Sequence, residues 1–343
     1  MTDLPDTMEA QVIEGFGDPD VFETAELERP TAEPNHVVVR VEATSVNPVD
    51  HKIRSGELPD VAPDFPAVLH GDVAGTVVSV GEGVEEFAVG DEVYGCPGGV
   101  AGTGGALAEY VLADAASLAH KPDSLSMREA AALPLVTITA WDGLVTRADV
   151  QPGDSVLVYG GTGGVGHVAV QLADHRGGVV HATGSTAEKR DLARDLGANH
   201  AIDYRTKSVE EYVDEYTDGE GFDVVYDTVG TGGDNLETAF EAAGLKGHVL
   251  STVAHGEVDV DPVHVKALSF DVVFMLVPLL HDDRAGRAYH GDLLERVATL
   301  VDAGELEPLL DDEEFTFDAE GVAAAHRRLA SGEHVGKVTI SRE

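Results

Sequence analysis

An α/β fold, in which a doubly wound parallel sheet is joined to a mainly antiparallel, barrel-like domain, follows from three observations. The chain has 343 residues, 43% of them hydrophobic, enough for two separate cores. Near residue 128 its texture changes from short Val- and Thr-rich runs broken by turns to a repeated alternation of strand, turn and helix. At 160–166 a glycine-rich loop stands between a Val-rich run and a helical pattern.

The first third supplies the antiparallel part. "NHVVVRVEATSVNP", "GTVVSVGEGVEEFAVGDEVYG" and "LAEYVLAD" are β-type segments punctuated by Gly, Pro, Asn and Asp. In the second part "SVLVYG" precedes the glycine loop and the helix "VGHVAVQLADHRG", and "VVHATGS" precedes "TAEKRDLARDLGA". "HAIDY", "FDVVYDTVG", "GHVLSTVA" and "SFDVVFML" follow. Such runs, buried on both faces and separated by amphipathic helices, predict a parallel sheet with right-handed crossovers. Beyond residue 277 come "GDLLERVATLVDAG", "AEGVAAAHRRLASG" and a last strand "GKVTI". No second glycine fingerprint occurs there, so these elements are expected to pack back onto the first domain. The expected domains are 1–127 with 278–343, and 128–277.

The charge is unusual. Sixty-three acidic against 22 basic residues give a formal net charge of -41, spread along the whole chain. Self-repulsion on this scale is relieved by high salt, which shortens the Debye length to about 3 Å at 1 M. The composition is read as adaptation to a salt-rich cytoplasm. It argues against duplex nucleic acid as a partner, because that affinity rests on Lys and Arg neutralising phosphates. No run approaches the roughly 18 apolar residues of a spanning helix, and the N-terminus lacks signal-peptide character, so a cytoplasmic location without membrane insertion is expected. The single cysteine, Cys96, rules out an intrachain disulfide and multi-thiolate metal centres.

Gly161, Gly163 and Gly166 stand in G-x-G-x-x-G spacing, with Thr162, Gly164 and Val165 between them. In this strand–turn–helix context the glycines permit a tight turn, close approach of a pyrophosphate and tight helix packing: the fingerprint of a Rossmann dinucleotide site. An NAD site normally carries an acid about 20 residues further on, on the ribose 2′-hydroxyl. Gly184, Ser185 and Thr186 offer none, whereas Ser185 and Lys189 suit a 2′-phosphate. NADPH is favoured over NADH, with a solvated Lys189 beside Glu188 as the plainer reading.

Together "TSVNPVDHKIRSG", "HGDVAGTVVSVGEGVEEFAVGDEVYG", "GALAEYVLAD", "AALPLVTITAWDGL", "YGGTGGVGHVAVQLA" and "HVGKVTI" resemble the medium-chain dehydrogenase/reductase superfamily. Within it the likeness is to the zinc-independent quinone oxidoreductase, or zeta-crystallin-like, branch. The resemblance implies a GroES-like, mainly antiparallel β-barrel catalytic domain beside a Rossmann domain, with the active cleft between them. Zinc-dependent alcohol dehydrogenases of that superfamily place ligands where this chain has Asn47, Gly71 and, near the third position, Leu135; His70 is displaced from the second by one residue. A one-residue shift along an extended segment turns a side chain to the opposite face, so His70 is expected to be structural and no metal is expected.

Without a Lewis acid, alcohol oxidation lacks the device that lowers a hydroxyl pKa, whereas reduction of an electron-poor acceptor needs less help. Hydride from C4 of NADPH adds to an enone β-carbon or a quinone ring, and donors stabilise the charge developing on the far carbonyl oxygen. By the resemblance, Asn47 lines the nicotinamide cleft, Asp50 orients Asn47 or the cofactor ribose, and Lys52 stabilises or protonates the enolate. Lys52 stands where well-known relatives carry a tyrosine, and water competes with it as proton donor. Asn47 with Pro48 also reads as an Asx-type turn, and Lys52 equally as solvent-facing. The resemblance further implies Thr137 at the nicotinamide, Tyr204 beside the adenosine 2′-phosphate, and backbone at Val253 and Phe274 holding the carboxamide. The expectation is an NADPH-dependent, metal-free reductase of quinones or α,β-unsaturated carbonyls, dimerising through the strand "SFDVVFML". The alternatives are an enoyl-thioester reductase and an NADPH-binding structural or redox-sensing protein without turnover.

Overall fold

The computed structural model describes residues 4–230 and 233–342, and the chain divides into two compact units. The first unit opens with β1 (Thr7–Ile13), β2 (Phe22–Glu28), β3 (His36–Ser45), α1 (Pro48–Ser55), β4 (Ala67–Val68) and β5 (Val73–Val80). It continues through β6 (Glu92–Gly95), β7 (Tyr110–Asp114), β8 (Leu118–His120) and α2 (Met127–Ala131). The chain then passes along α3 (Pro134–Trp141) into the second unit, made of β9 (Ser155–Tyr159), α4 (Gly164–His175), β10 (Val179–Thr183), α5 (Ala187–Asp195), β11 (His200–Ile202), α6 (Val209–Thr217), β12 (Phe222–Asp227), α7 (Gly233–Ala242), β13 (Ala243–Ser251), α8 (Asp261–Lys266) and β14 (Ser269–Val272). It returns to the first unit through α9 (Val277–Leu280), α10 (Arg284–Asp302), β15 (Phe315–Thr316), α11 (Ala319–Ser331) and β16 (Thr339–Ser341).

In the first unit β1 pairs antiparallel with both β2 and β4. A larger sheet runs in the order β15-β16-β3-β5-β6-β8, with β7 also on β3. Its pairings are antiparallel apart from β15 with β16. Six of the ten residues of β3 are Val, Ala or Thr, as suits a strand inside this sheet, with Val37, Val38, Val39, Val41 and Ala43 buried. The second unit is one parallel sheet in the order β11-β10-β9-β12-β13-β14. Its order reverses at β9, the arrangement that opens a crevice at the carboxyl ends of the strands. Leu157, Phe222, Val225, Phe240 and Val249 form part of its core.

The α/β architecture, with a GroES-like domain and a Rossmann-type parallel sheet, is as the sequence predicts. The division falls at Leu135/Val136 against an expected 127/128. Residues 127–135 stay with the first unit because Arg128 donates from Nε to Thr339 Oγ1 (2.9 Å) and the Leu135 N–H donates to Asp72 Oδ1 (2.8 Å). Residues 305–309 join the second unit, where Gln171 and the backbone of Glu307 exchange two hydrogen bonds of 2.8 and 2.9 Å. Among the described residues no helix is long and apolar enough to cross a membrane.

Candidate functional site

Two constructions carry chemistry, one in each unit. In the parallel-sheet unit β9 ends at Tyr159, and Gly160 turns the chain with φ +72, a conformation that favours glycine. The Gly160 and Gly161 N–H groups donate to Thr183 of β10 (2.9 and 3.2 Å), and the Gly163 N–H donates to Gly160 O (2.8 Å). A Cβ on Gly166 would lie 2.0 Å from Gly160 O, so α4 packs against the loop only with glycine there. Thr162 is buried in the loop, Gly163 is the N-cap, and Gly164 and Val165 open the helix. The first N–H groups of a helix have no intrahelical acceptor, which makes this terminus a ready anion site. The cradle fits a dinucleotide pyrophosphate.

The remaining positions expected to hold the cofactor are distributed as follows. Ser185 lies between β10 and α5, and Thr186 caps α5 by accepting the Lys189 N–H at 3.2 Å. Tyr204 follows β11 and is 51% exposed. The sequence reading missed Arg190, whose guanidinium donates to Gly184 O (3.1 Å) and pairs with Asp203 (3.0 Å) at the end of β11. An acid therefore does stand at the neighbouring strand end, but it is already engaged by an arginine. Thr137 on α3 is buried, and its Oγ1 has no hydrogen-bond partner among the described residues, as a group awaiting a ligand would. The Val253 N–H donates to Ser251 Oγ (3.2 Å), which in turn donates to the buried Asp227 carboxylate (3.0 Å). Phe274 lies just beyond β14 and is 46% exposed.

In the barrel unit the strand registers build a buried polar cluster. Thr339 on β16 pairs with Ser45 on β3, so Lys337, two residues before Thr339, comes opposite Asn47, two residues after Ser45, and on the same face. Ala43 pairs with Ala74 of β5, which brings Ser45 level with Asp72. Asn47 Nδ2 and Ser45 Oγ donate to Asp72 Oδ2 (2.8 and 2.6 Å). Lys337 Nζ donates to Asn47 Oδ1 and lies 3.4 Å from both Val46 O and Asp72 Oδ2. Asp50, third residue of α1, accepts the Asn47 N–H at 2.7 Å, half of a capping box. Asn47, Asp50, Asp72 and Lys337 are all almost wholly buried. Burial, partly offset by the Asn47 hydrogen bond, raises the Asp50 carboxyl to about 7.

Asn47 and Asp50 thus come together, and Lys52 does not join them. Lys52 is half-exposed in the last turn of α1, where a cation complements the helix dipole. The lysine that reaches Asn47 is Lys337, carried in from the far end of the chain. Only the register of β16 on β3 reveals it.

The segment before β5 corrects one expectation. His70 is not extended: its φ is +71, in the left-handed region, so strand alternation does not set its direction. Its Nε2 faces His326 Nε2 of α11 at 3.0 Å, with Nδ1 3.4 Å from Thr44 Oγ1. One ring donates and the other accepts. Burial first, and Lys337 second, lower His70 to about 3; burial likewise holds His326 well below its ordinary value. A Cβ on Gly71 would meet Cys96 Sγ at 2.8 Å, so the space beside it is filled, and burial pushes the Cys96 thiol up. Among the described residues no three His, Cys, Asp or Glu side chains are grouped to hold a metal ion.

Residues 33–123 match the alcohol dehydrogenase GroES-like domain, and 196–340 match a family described as zinc-binding dehydrogenase. The chain belongs to the medium-chain dehydrogenase/reductase superfamily. It is 35% identical to the 2-methylene-furan-3-one reductase of Solanum lycopersicum, over 98% of this chain and 80% of that protein. It is 33% identical to the chloroplastic NADPH-dependent alkenal/one oxidoreductase of Arabidopsis thaliana, with the same coverage. An alcohol dehydrogenase superfamily protein from Novosphingobium aromaticivorans superposes with a TM-score of 0.91 at 42% identity, covering 98% of this chain and 100% of that one.

Proposed function

We propose that the protein is an NADPH-dependent, metal-free reductase of α,β-unsaturated carbonyl compounds, quinones included. The observation that carries this reading is the Asn47 cluster. Where the resemblance puts zinc ligands, this chain has a carboxamide bound by Lys337 and Asp72, a glycine packed on a thiol, and a leucine. The relatives named for reducing alkenals and a methylene-furanone support the acceptor class. When bound, reduced nicotinamide supplies hydride to the β-carbon. Asn47 would then donate to the acceptor's carbonyl oxygen as charge develops there, with solvent water supplying the proton that completes the reduction; Asp50 holds the Asn47 backbone, and the glycine loop with α4 would hold the pyrophosphate. Ser185, Lys189 and Tyr204 meet the adenosine 2′-phosphate. Thr137 Oγ1, Val253 and Phe274 serve the nicotinamide end. A homodimer is proposed through β14, an edge strand exposing Phe270 and Val272.

The test is NADPH oxidation against a panel of enones, enals and 1,4-quinones in concentrated KCl, with metal analysis of the active protein. Saturable turnover is expected, and Asn47→Ala should lower kcat about 100-fold, the usual effect of losing one oxyanion donor. NADPH fluorescence quenching without oxidation across the panel would leave only a nucleotide-binding protein. Stoichiometric zinc in active protein would overturn the metal-free mechanism.

A further inference from the structure

The Asn47 carboxamide is chemically polarised by its two neighbours. Lys337 carries donors only, so the atom facing it must be the amide oxygen; Asp72 Oδ2, which also accepts from Ser45 Oγ, is an acceptor, so the atom facing it must be the amide nitrogen. The orientation of the amide is thus fixed by chemistry, independently of how similar its O and N look. Nδ2 carries two hydrogens: Asp72 takes one, and the buried Asp50 carboxyl, which the Asn47 side chain also hydrogen-bonds, lies beside the other. Among the described residues the partners of Lys337 Nζ are the Asn47 carboxamide, the Val46 carbonyl and Asp72, and its side chain is 3% exposed, with that of Asp72 at 0%.

We propose that Lys337 is a positioning residue: with Asp72 it locks the Asn47 carboxamide in one orientation, oxygen on the lysine and nitrogen on the carboxylates, so that Nδ2 and not Oδ1 is the atom available to the acceptor's carbonyl oxygen. This rests on the reductase reading for the identity of the acceptor, but the locking itself is a property of the barrel unit alone. A neutral residue at 337 leaves the amide free to turn its oxygen toward the incoming oxyanion, a repulsive arrangement. It also leaves Asp72 without its cation.

The experiment is a double-mutant cycle of Lys337→Met and Asn47→Ala, with NADPH and methyl vinyl ketone in concentrated KCl, joined to side-chain amide NMR of protein labelled with 15N-asparagine. Lys337→Met should lower kcat at least about tenfold while the NADPH dissociation constant stays within about twofold, and the double variant should be no slower than Asn47→Ala alone. Lys337→Arg should recover part of the loss. Multiplicative effects of the two substitutions would overturn the proposal, since they would mean that Lys337 acts independently of Asn47. If the unsubstituted protein turns over no acceptor, the reductase reading fails and the NMR arm decides. The Asn47 Nδ2 hydrogens should give two well-separated signals that exchange slowly in the unsubstituted protein and lose that protection in Lys337→Met. Fast exchange in the unsubstituted protein overturns the locking outright, and this measurement stands even if the variant fails to fold.

Discussion

The glycine loop of the parallel-sheet unit and the Asn47 cluster of the barrel unit are made of opposite materials. The loop is backbone: its contacts run through the N–H groups of Gly160, Gly161 and Gly163 and the carbonyl of Gly160, and side chains enter mainly as what is missing. The cluster is side chain: an amide, two carboxylates, a hydroxyl and an ammonium hydrogen-bond one another, all of them almost wholly buried. A backbone site leaves little room for an added atom where main chain meets main chain, but hardly responds to pH. A side-chain site accepts isosteric change but is tied to the protonation of its members.

The most damaging single substitution should be one methyl group added to the loop. In Gly166→Ala the new Cβ would stand 2.0 Å from Gly160 O, and a backbone atom cannot swing away as a side chain does. In Gly163→Ala the same atom would be 3.2 Å off, a contact met by a small adjustment. Gly166→Ala should therefore cost about 3 kcal/mol of stability, near the upper end for overpacking, and abolish NADPH quenching; Gly163→Ala should be the milder in chemical denaturation. Equal stabilities for the two variants would show that α4 does not depend on this close approach.

The cluster should answer to pH instead. The Asp50 carboxyl is held near 7 in the fold and titrates near 3.8 when unfolded, so between these values the unfolded chain has released a proton that the fold keeps. Stability from this group falls as pH rises from about 4 to 7, by at most about 4 kcal/mol at 1.36 kcal/mol per unit. His70 runs the other way. Neutral in the fold down to about 3, against 6.5 when unfolded, it makes stability fall as pH drops from 6.5. The two slopes oppose each other across the shared window. Asp50→Asn removes one of them. Measured by denaturant unfolding at fixed salt, the variant should gain on the unsubstituted protein as pH rises from 4 to 7, and should lose stability more steeply on acidification. A difference between the two proteins that does not change with pH would mean that Asp50 is ionised throughout.

The same contrast explains what could be read in advance. A backbone site is local, so the spacing of Gly161, Gly163 and Gly166 after "SVLVYG" disclosed it. The parallel sheet followed from the alternation of Val-rich runs and helices. The cluster needs Ser45 and Asn47 from the end of β3, Asp72 from the approach to β5 and Lys337 from the approach to β16, and nothing in the linear chain gives the register that makes them neighbours. The sequence offered Lys52 and was silent on Lys337 for that reason: Lys52 is near Asn47 along the chain, whereas Lys337 is near it across a sheet. His70 misled differently, since a left-handed residue breaks the alternation on which the face of a strand residue is inferred.

The smallest expected effect bears on whether the backbone site uses side chains at all. The pyrophosphate cradle suits NADH and NADPH alike, so in the proposed reading discrimination falls to the end of β10, where Gly184, Ser185 and Thr186 offer no acid and the Asp203 carboxylate is taken by Arg190. If Lys189 meets the 2′-phosphate, Lys189→Ala should weaken NADPH about tenfold, or about 1.4 kcal/mol, and leave NADH unchanged. The effect should shrink with salt, because an exposed ion pair is screened. Arg190→Ala also frees Asp203, a carboxylate that accepts a ribose 2′-hydroxyl and repels a 2′-phosphate, so it should weaken NADPH and strengthen NADH together. Fluorescence titration of both nucleotides against both variants separates the cases. A parallel loss of NADH and NADPH in Lys189→Ala would place that lysine on the shared part of the dinucleotide, and the preference would then rest on Arg190 and Asp203.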